Sequence, residues 1–263
     1  MKLAISNMAW KHGQEEKAYQ LMQKYGFKGL EIVPTKVIAE NPYDKPEKIV
    51  AWKEKLQNQY GFEIVSMQSI WYGRKEKLFG NGKERERLIS YTYKAIDFAG
   101  KLKCGNLVLG SPRNRNMPYG CKEEEVLPFF ELIADYADTR ETVVSIEPNP
   151  PIYNTNFINT TQEAFALVDR INSSRFQVNL DFGTIIENQE NIADFRRNIQ
   201  RINHVHISEP MLKPIRQRKE HVELIHLLKQ EGYRGYISIE MQETEDMELL
   251  ENIMKYVADM VRE

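Results

Sequence analysis

The sequence has little cysteine: Cys104 and Cys121 are the only two in 263 residues. They are too few for a disulfide framework and do not form a metal-type pair, so a reduced, cytoplasmic setting is the simplest expectation. Charge of one sign is lacking as well. The 36 Lys and Arg against 38 Asp and Glu leave a formal net charge of -2. That is no basic field for nucleic acid or for an anionic membrane surface. No hydrophobic run approaches the length of a membrane span. The apolar run at Met1–Ser6 is too short for a signal peptide and reads as a strand. A glycine-rich phosphate turn after that strand is also missing, since Ser6-Asn7-Met8-Ala9-Trp10 contains no glycine, which argues against a doubly wound nucleotide-binding sheet. The composition that remains is 41% hydrophobic and 28% charged. It suits an ordinary soluble protein, expected to form a single domain over residues 1–263.

What the chain does contain is an alternation of strand-like and helix-like segments from end to end. Strands are expected at residues 2–7, 29–33, 62–68, 106–110, 142–147, 177–181, 202–208 and 236–241. Helices are expected at 15–25, 46–61, 83–103, 122–138, 161–171, 191–201, 219–230 and 245–262. Gly26 and Gly61 supply stops and Pro46 a start. Pro128 is expected to kink its helix. Residues 34–45 and 69–82 read as loops. Successive strands separated by helices pair in parallel with right-handed crossovers. Eight such units close into an α/β fold, the (β/α)8 TIM barrel, whose usual size matches this chain.

Four strands share a pattern near their C-terminal ends. Ser145-Ile146-Glu147, Asn179-Leu180-Asp181, His204-Val205-His206 and Ser238-Ile239-Glu240 each alternate polar and apolar residues, as the two faces of a strand require. In a barrel the C-terminal strand ends carry the chemistry. Glu147, Asp181, His206 and Glu240 belong to consecutive strands, at matching depth and inward parity. Three carboxylates packed together would raise one another's pKa, and a dication relieves that repulsion. These four are therefore expected to bind one divalent metal ion, with manganese, cobalt, magnesium and zinc left open. His204 lies deeper and reads as an interior histidine. Glu31 on strand two and Gln68 on strand three are inward candidates for substrate contact. Trp10, with Trp71 and Tyr72, offers a ring to a sugar face. Lys36 and Arg113 (with Arg115) leave strand ends and suit a phosphate or carboxylate. Glu209 follows the ligand strand with the wrong parity, unless Pro210 bends the chain.

The order Glu, Asp, His, Glu at the ends of strands five to eight resembles the xylose-isomerase-like barrel superfamily of sugar isomerases and epimerases. The matching motifs are Ser145-Ile146-Glu147-Pro148, Asn179-Leu180-Asp181, His204-Val205-His206 with Glu209, and Ser238-Ile239-Glu240. The metal set is similar to that of the ketose 3-epimerase branch. That branch carries a histidine three residues after the aspartate and an arginine six after the ligand histidine; Thr184 and Leu212 stand there in this chain. Endonuclease IV-like members need extra histidines where this chain has Gln68 and Ser111, so DNA repair is not expected.

The resemblance implies proton transfer beside a carbonyl, through an enediolate steadied by the metal, with Glu147 and Glu240 as the two proton carriers. It implies a sugar or sugar-phosphate substrate and a homo-oligomer. Two rival readings use the same residues. A dehydratase of a keto-sugar or inosose would share the abstraction step and expel water. A non-catalytic sugar-binding barrel would have no need of paired proton carriers.

Overall fold

Eight short strands pair in chain order and close on themselves. In this computed structural model, which describes residues 1–262, the strands are β1 (Lys2–Ser6), β2 (Gly29–Ile32), β3 (Glu63–Met67), β4 (Leu107–Leu109), β5 (Val144–Ile146), β6 (Phe176–Asp181), β7 (Ile202–Ile207) and β8 (Tyr236–Ile239). All neighbours are parallel, and β8 returns to β1 through Leu3 opposite Ile237 and Ile5 opposite Ile239. The expected (β/α)8 TIM barrel is the observed fold. The alternation of the strands explains its apolar outer layer. Leu180, Val205 and Ile237 are wholly buried on the face opposite the polar interior residues. Each contributes roughly 1.5–3 kcal/mol by leaving water against the helices.

The helices around the barrel begin with α1 (Glu15–Tyr25), α2 (Pro34–Val37), α3 (Pro46–Tyr60), α4 (Gly82–Leu102) and α5 (Leu127–Asp138). They continue with α6 (Thr161–Ile171), α7 (Phe182–Asn188), α8 (Lys219–Gln230) and α9 (Met247–Arg262). Reciprocal capping boxes start two of them, Asn81 with Glu84 on α4 and Thr160 with Glu163 on α6, each satisfying orphan amide donors.

Four local expectations need correction. Residues 34–45 are not all loop: Pro34 opens the one-turn α2, where its fixed φ and missing N–H cost nothing. Pro128 does not kink a helix, because α5 starts at Leu127 and places Pro128 in the first turn. The segment expected as helix six is a 3-10 run, Ile192–Arg201. Between it and β6 lies α7, absent from the sequence reading because Asp181 both ends the strand and caps that helix, its side chain accepting from the Thr184 amide at 2.7 Å.

Two register slips sit beside the polar interior. Opposite Leu30 and Glu31 of β2, β3 skips Val65. Opposite Val178 and Asn179 of β6, β7 skips Asn203. An extra residue in one strand re-aims its neighbours, and both slips flank side chains that meet at the barrel axis.

Candidate metal centre

Glu147 and Glu240 each follow the last residue of their strand, Asp181 ends β6, and His206 is the penultimate residue of β7. The barrel therefore delivers all four to one height. One ligand atom from each of Glu147, Asp181, His206 and Glu240 lies within 4.8 Å of every other. His206 Nδ1 stands 3.0 Å from Glu147 Oε1 and 3.1 Å from Glu240 Oε2. His206 is wholly buried, Asp181 nearly so, and Glu147 and Glu240 are each 9% exposed. The two glutamates thus form the edge of the cluster that meets the mouth.

The surroundings hold each acid in place. Glu147 Oε1 accepts from Asn179 Nδ2 at 2.8 Å, and Oε2 accepts from Asn149 Nδ2 at 3.2 Å. Gly110 makes room, since a Cβ there would sit 2.6 Å from Glu147 Oε2. Buried Arg115 donates through Nη2 to the Glu147 carbonyl at 2.9 Å and to Asn149 Oδ1 at 2.5 Å. Asp181 Oδ1 accepts from the Ser208 hydroxyl, and its Oδ2 lies 2.8 Å from the Thr184 hydroxyl. Thr184, also 2.9 Å from the Pro148 carbonyl, is therefore a brace for Asp181.

The electrostatics record the crowding. Burial, with Glu147 and Asp181 adding and His206 opposing, pushes Glu240 up to about 7. Burial and Glu147 raise Asp181 above the ordinary carboxylate range. Burial disfavours a charged His206, but Glu240, Glu31 and Glu147 around it carry its pKa well above the usual imidazole value. Three acids and one imidazole, preassembled with their side chains braced, fit a divalent cation: the ion would neutralise the repulsion and take the Nδ1 lone pair.

The other sequence candidates are dispersed around this cluster. Glu31 is wholly buried beneath it, its Oε2 3.0 Å from His206 Nε2 and 2.9 Å from His204 Nε2. Gln68 follows the last residue of β3, is buried, and leaves Oε1 without a partner while Nε2 meets the Met8 sulfur. Trp10 is buried edge-on against Tyr19, with ring centroids 6.1 Å apart. Lys36 Nζ donates to the Trp10 carbonyl at 2.7 Å and pairs with Glu243 at 3.2 Å. Glu209 is held by both guanidinium arms of Arg218, at 2.8 and 2.6 Å. Arg113 is exposed on a 3-10 turn, Pro112–Asn114, and makes no ion pair among the described residues.

One residue beside the cluster was not found from sequence. Tyr153 lies on the 3-10 turn Pro151–Tyr153 after β5, and its hydroxyl accepts from the Met211 amide after β7 at 2.9 Å. It spans the mouth and steadies Met211 and Leu212, both at positive φ (61° and 54°). Burial and the charges of Asp181, Glu240 and Glu147 raise its hydroxyl above the ordinary phenol value. The only sequence signal was its place just past the proline run after Glu147.

A family model described as xylose isomerase-like TIM barrel matches residues 19–261. A search of curated proteins finds no match. Among solved structures, D-psicose 3-epimerase with D-tagatose from Clostridium cellulolyticum H10 is similar at a TM-score of 0.79 and 17% identity, covering 100% of this chain and 98% of that one. The 3-keto-D-glucoside 4-epimerase of E. coli is similar at 0.75 and 18%, covering 99% and 98%. An AP endonuclease, family 2, from Brucella melitensis is similar at 0.75 and 20%, covering 98% and 99%. At these identities the likeness to solved structures establishes the fold, which activities of different kinds share.

Proposed function

The chain belongs to the xylose isomerase-like TIM barrel family, and from that premise we propose that it is a divalent-metal-dependent isomerase or epimerase of a sugar or sugar derivative. The observation that carries this reading is the convergence of Glu147, Asp181, His206 and Glu240 within 4.8 Å at the C-terminal end of the barrel. The epimerases among the similar structures support it. Glu147, Asp181, His206 and Glu240 would hold one ion, drawn from manganese, cobalt, magnesium or zinc. Bound there, the ion supplies Lewis acidity toward a substrate carbonyl.

The protein's own groups move the proton. Glu147 and Glu240 come from β5 and β8, at the two ends of the ligand arc, and both reach the mouth. One takes the proton from the carbon beside the carbonyl and the other returns a proton. Return to the opposite face of that carbon gives an epimer; return to the neighbouring carbon gives an aldose–ketose pair. Gln68, through its free Oε1, would accept from a substrate hydroxyl, and Tyr153, whose hydroxyl accepts from Met211 and keeps its proton, would donate to a substrate oxygen. Arg113 on the rim suits an anionic substituent, such as the phosphate of a sugar phosphate.

The test is a panel of keto-sugars, aldoses and their phosphates incubated with the Mn2+-loaded protein in D2O. Gain of one deuterium without loss of mass supports the isomerase or epimerase. A product lighter by one water selects a dehydratase. A sugar that binds without exchange selects a binding barrel.

A further inference from the structure

His206 also belongs to a second polar group, whose other two members, Glu31 and His204, the proposed reaction does not use. Glu31, His204 and His206 offer ligand atoms within 4.8 Å of one another. Glu31 and His206 are wholly buried and His204 is 1% exposed. Glu31 is a costly residue to place there. Its Oε2 has an imidazole nitrogen of His204 and one of His206 beside it, and its Oε1 has no hydrogen-bond partner. A buried carboxylate is retained only where something compensates it.

The directions of the bonds show what it acts on. The two His206 nitrogens meet different acids. Nδ1 meets Glu147 and Glu240. Nε2 meets Glu31 Oε2, in a hydrogen bond of 3.0 Å. His204 Nε2 is as close to that oxygen, at 2.9 Å, but is not aligned as a donor and has no hydrogen-bond partner. Its ring stands at 87° to that of His206 and walls the carboxylate in. With Nε2–H committed to Glu31, the nitrogen left to give up its proton to a cation is Nδ1, the atom that faces the acids. A carboxylate behind a ligand imidazole fixes its tautomer and raises its basicity.

Resting on the metal-centre reading above, we infer that Glu31 is the positioning residue for His206: from the far side of the barrel interior it sets which imidazole nitrogen meets the ion and how tightly that ion is held. The alternative occupant of the same trio is a second ion. It would put two dications on either side of one imidazole, with only Glu31 to neutralise the lower one, an unfavourable arrangement at so short a separation.

Mn2+ titration of the parent protein, Glu31→Gln and Glu31→Ala tests the inference without any substrate. The expected result is one ion per chain in all three. Affinity should fall about 10- to 100-fold in Glu31→Gln, which keeps size but loses charge, and further in Glu31→Ala. Nitrogen NMR of the Zn2+-loaded parent, which needs no variant to fold, should show His206 ligated at Nδ1 and protonated at Nε2. Unchanged Mn2+ affinity in a folded Glu31→Gln, or ligation through Nε2, overturns the inference and leaves the metal centre standing. Two ions in the parent and one in Glu31→Gln overturns it in favour of a second site. No Mn2+ binding to the parent removes the metal centre itself.

Discussion

The two halves of the barrel treat their polar residues differently. From β5 to β8 every strand ends in a group that converges on one point. From β1 to β4 the candidates are engaged elsewhere: Trp10 packs on Tyr19, Lys36 holds Glu243 and the Trp10 carbonyl, and Glu31 supports His206 from below. Among the front-half candidates, Gln68 and Glu31 each leave Oε1 without a hydrogen-bond partner, buried Arg115 leaves Nε and Nη1 so, and Arg113 makes no ion pair among the described residues. The second half thus gathers its polar strand-end groups at one point, while most front-half candidates are held in contacts of their own. Polarity at a strand end marks a site only where neighbouring strands repeat it at the same depth.

The largest expected effect lies in the second half. Glu147→Gln or Glu240→Gln should keep the circular dichroism of the parent and lower solvent-exchange turnover by about 10^3-fold or more. Full turnover in either variant would erase the distinction between the halves. Trp10→Ala should do the reverse. Removing a buried indole costs about 3–5 kcal/mol in chemical denaturation, with Mn2+ affinity unchanged; an affinity loss at constant stability would place Trp10 in the site.

The acid limb of stability separates the second half's packing from its ligands. His221 is wholly buried on α8, with its ring 4.0 Å from that of Phe182. Burial lowers its pKa to about 4. A base depressed in the folded state contributes stability that is complete above its unfolded value, near 6.5, and is lost as pH falls through about 4. The parent should therefore lose on the order of 2–3 kcal/mol over that range relative to His221→Leu, in denaturation at each pH. Equal pH profiles would show that His221 is not the group responsible. The smallest effect is expected for Tyr153→Phe, about tenfold in turnover with Mn2+ affinity retained. Loss of the ion instead would make Tyr153 part of the metal centre.

The barrel was legible because its strands and helices follow their own periods and alternate without a break. The convergence of four polar groups was legible for a related reason: Asp181, His206 and the two glutamates sit at the same parity at the ends of consecutive strands. Contacts that cross the barrel were not legible. Glu31 and His206 are 175 residues apart, and no local pattern says that one oxygen serves two imidazoles. Nor did spacing reveal α7, because Asp181 acts as strand end, helix cap and candidate ligand at once. Tyr153 was hidden for another reason: three prolines before it mark the end of a strand and say nothing of where the chain turns next.

Anomalous diffraction from Mn2+-soaked crystals tests the convergence most directly. One peak per chain is expected, in contact with carboxylate oxygens of Glu147, Asp181 and Glu240 and with His206 Nδ1. No peak at the mouth of the barrel, or a peak seated among Glu31, His204 and His206 Nε2 instead, would contradict it.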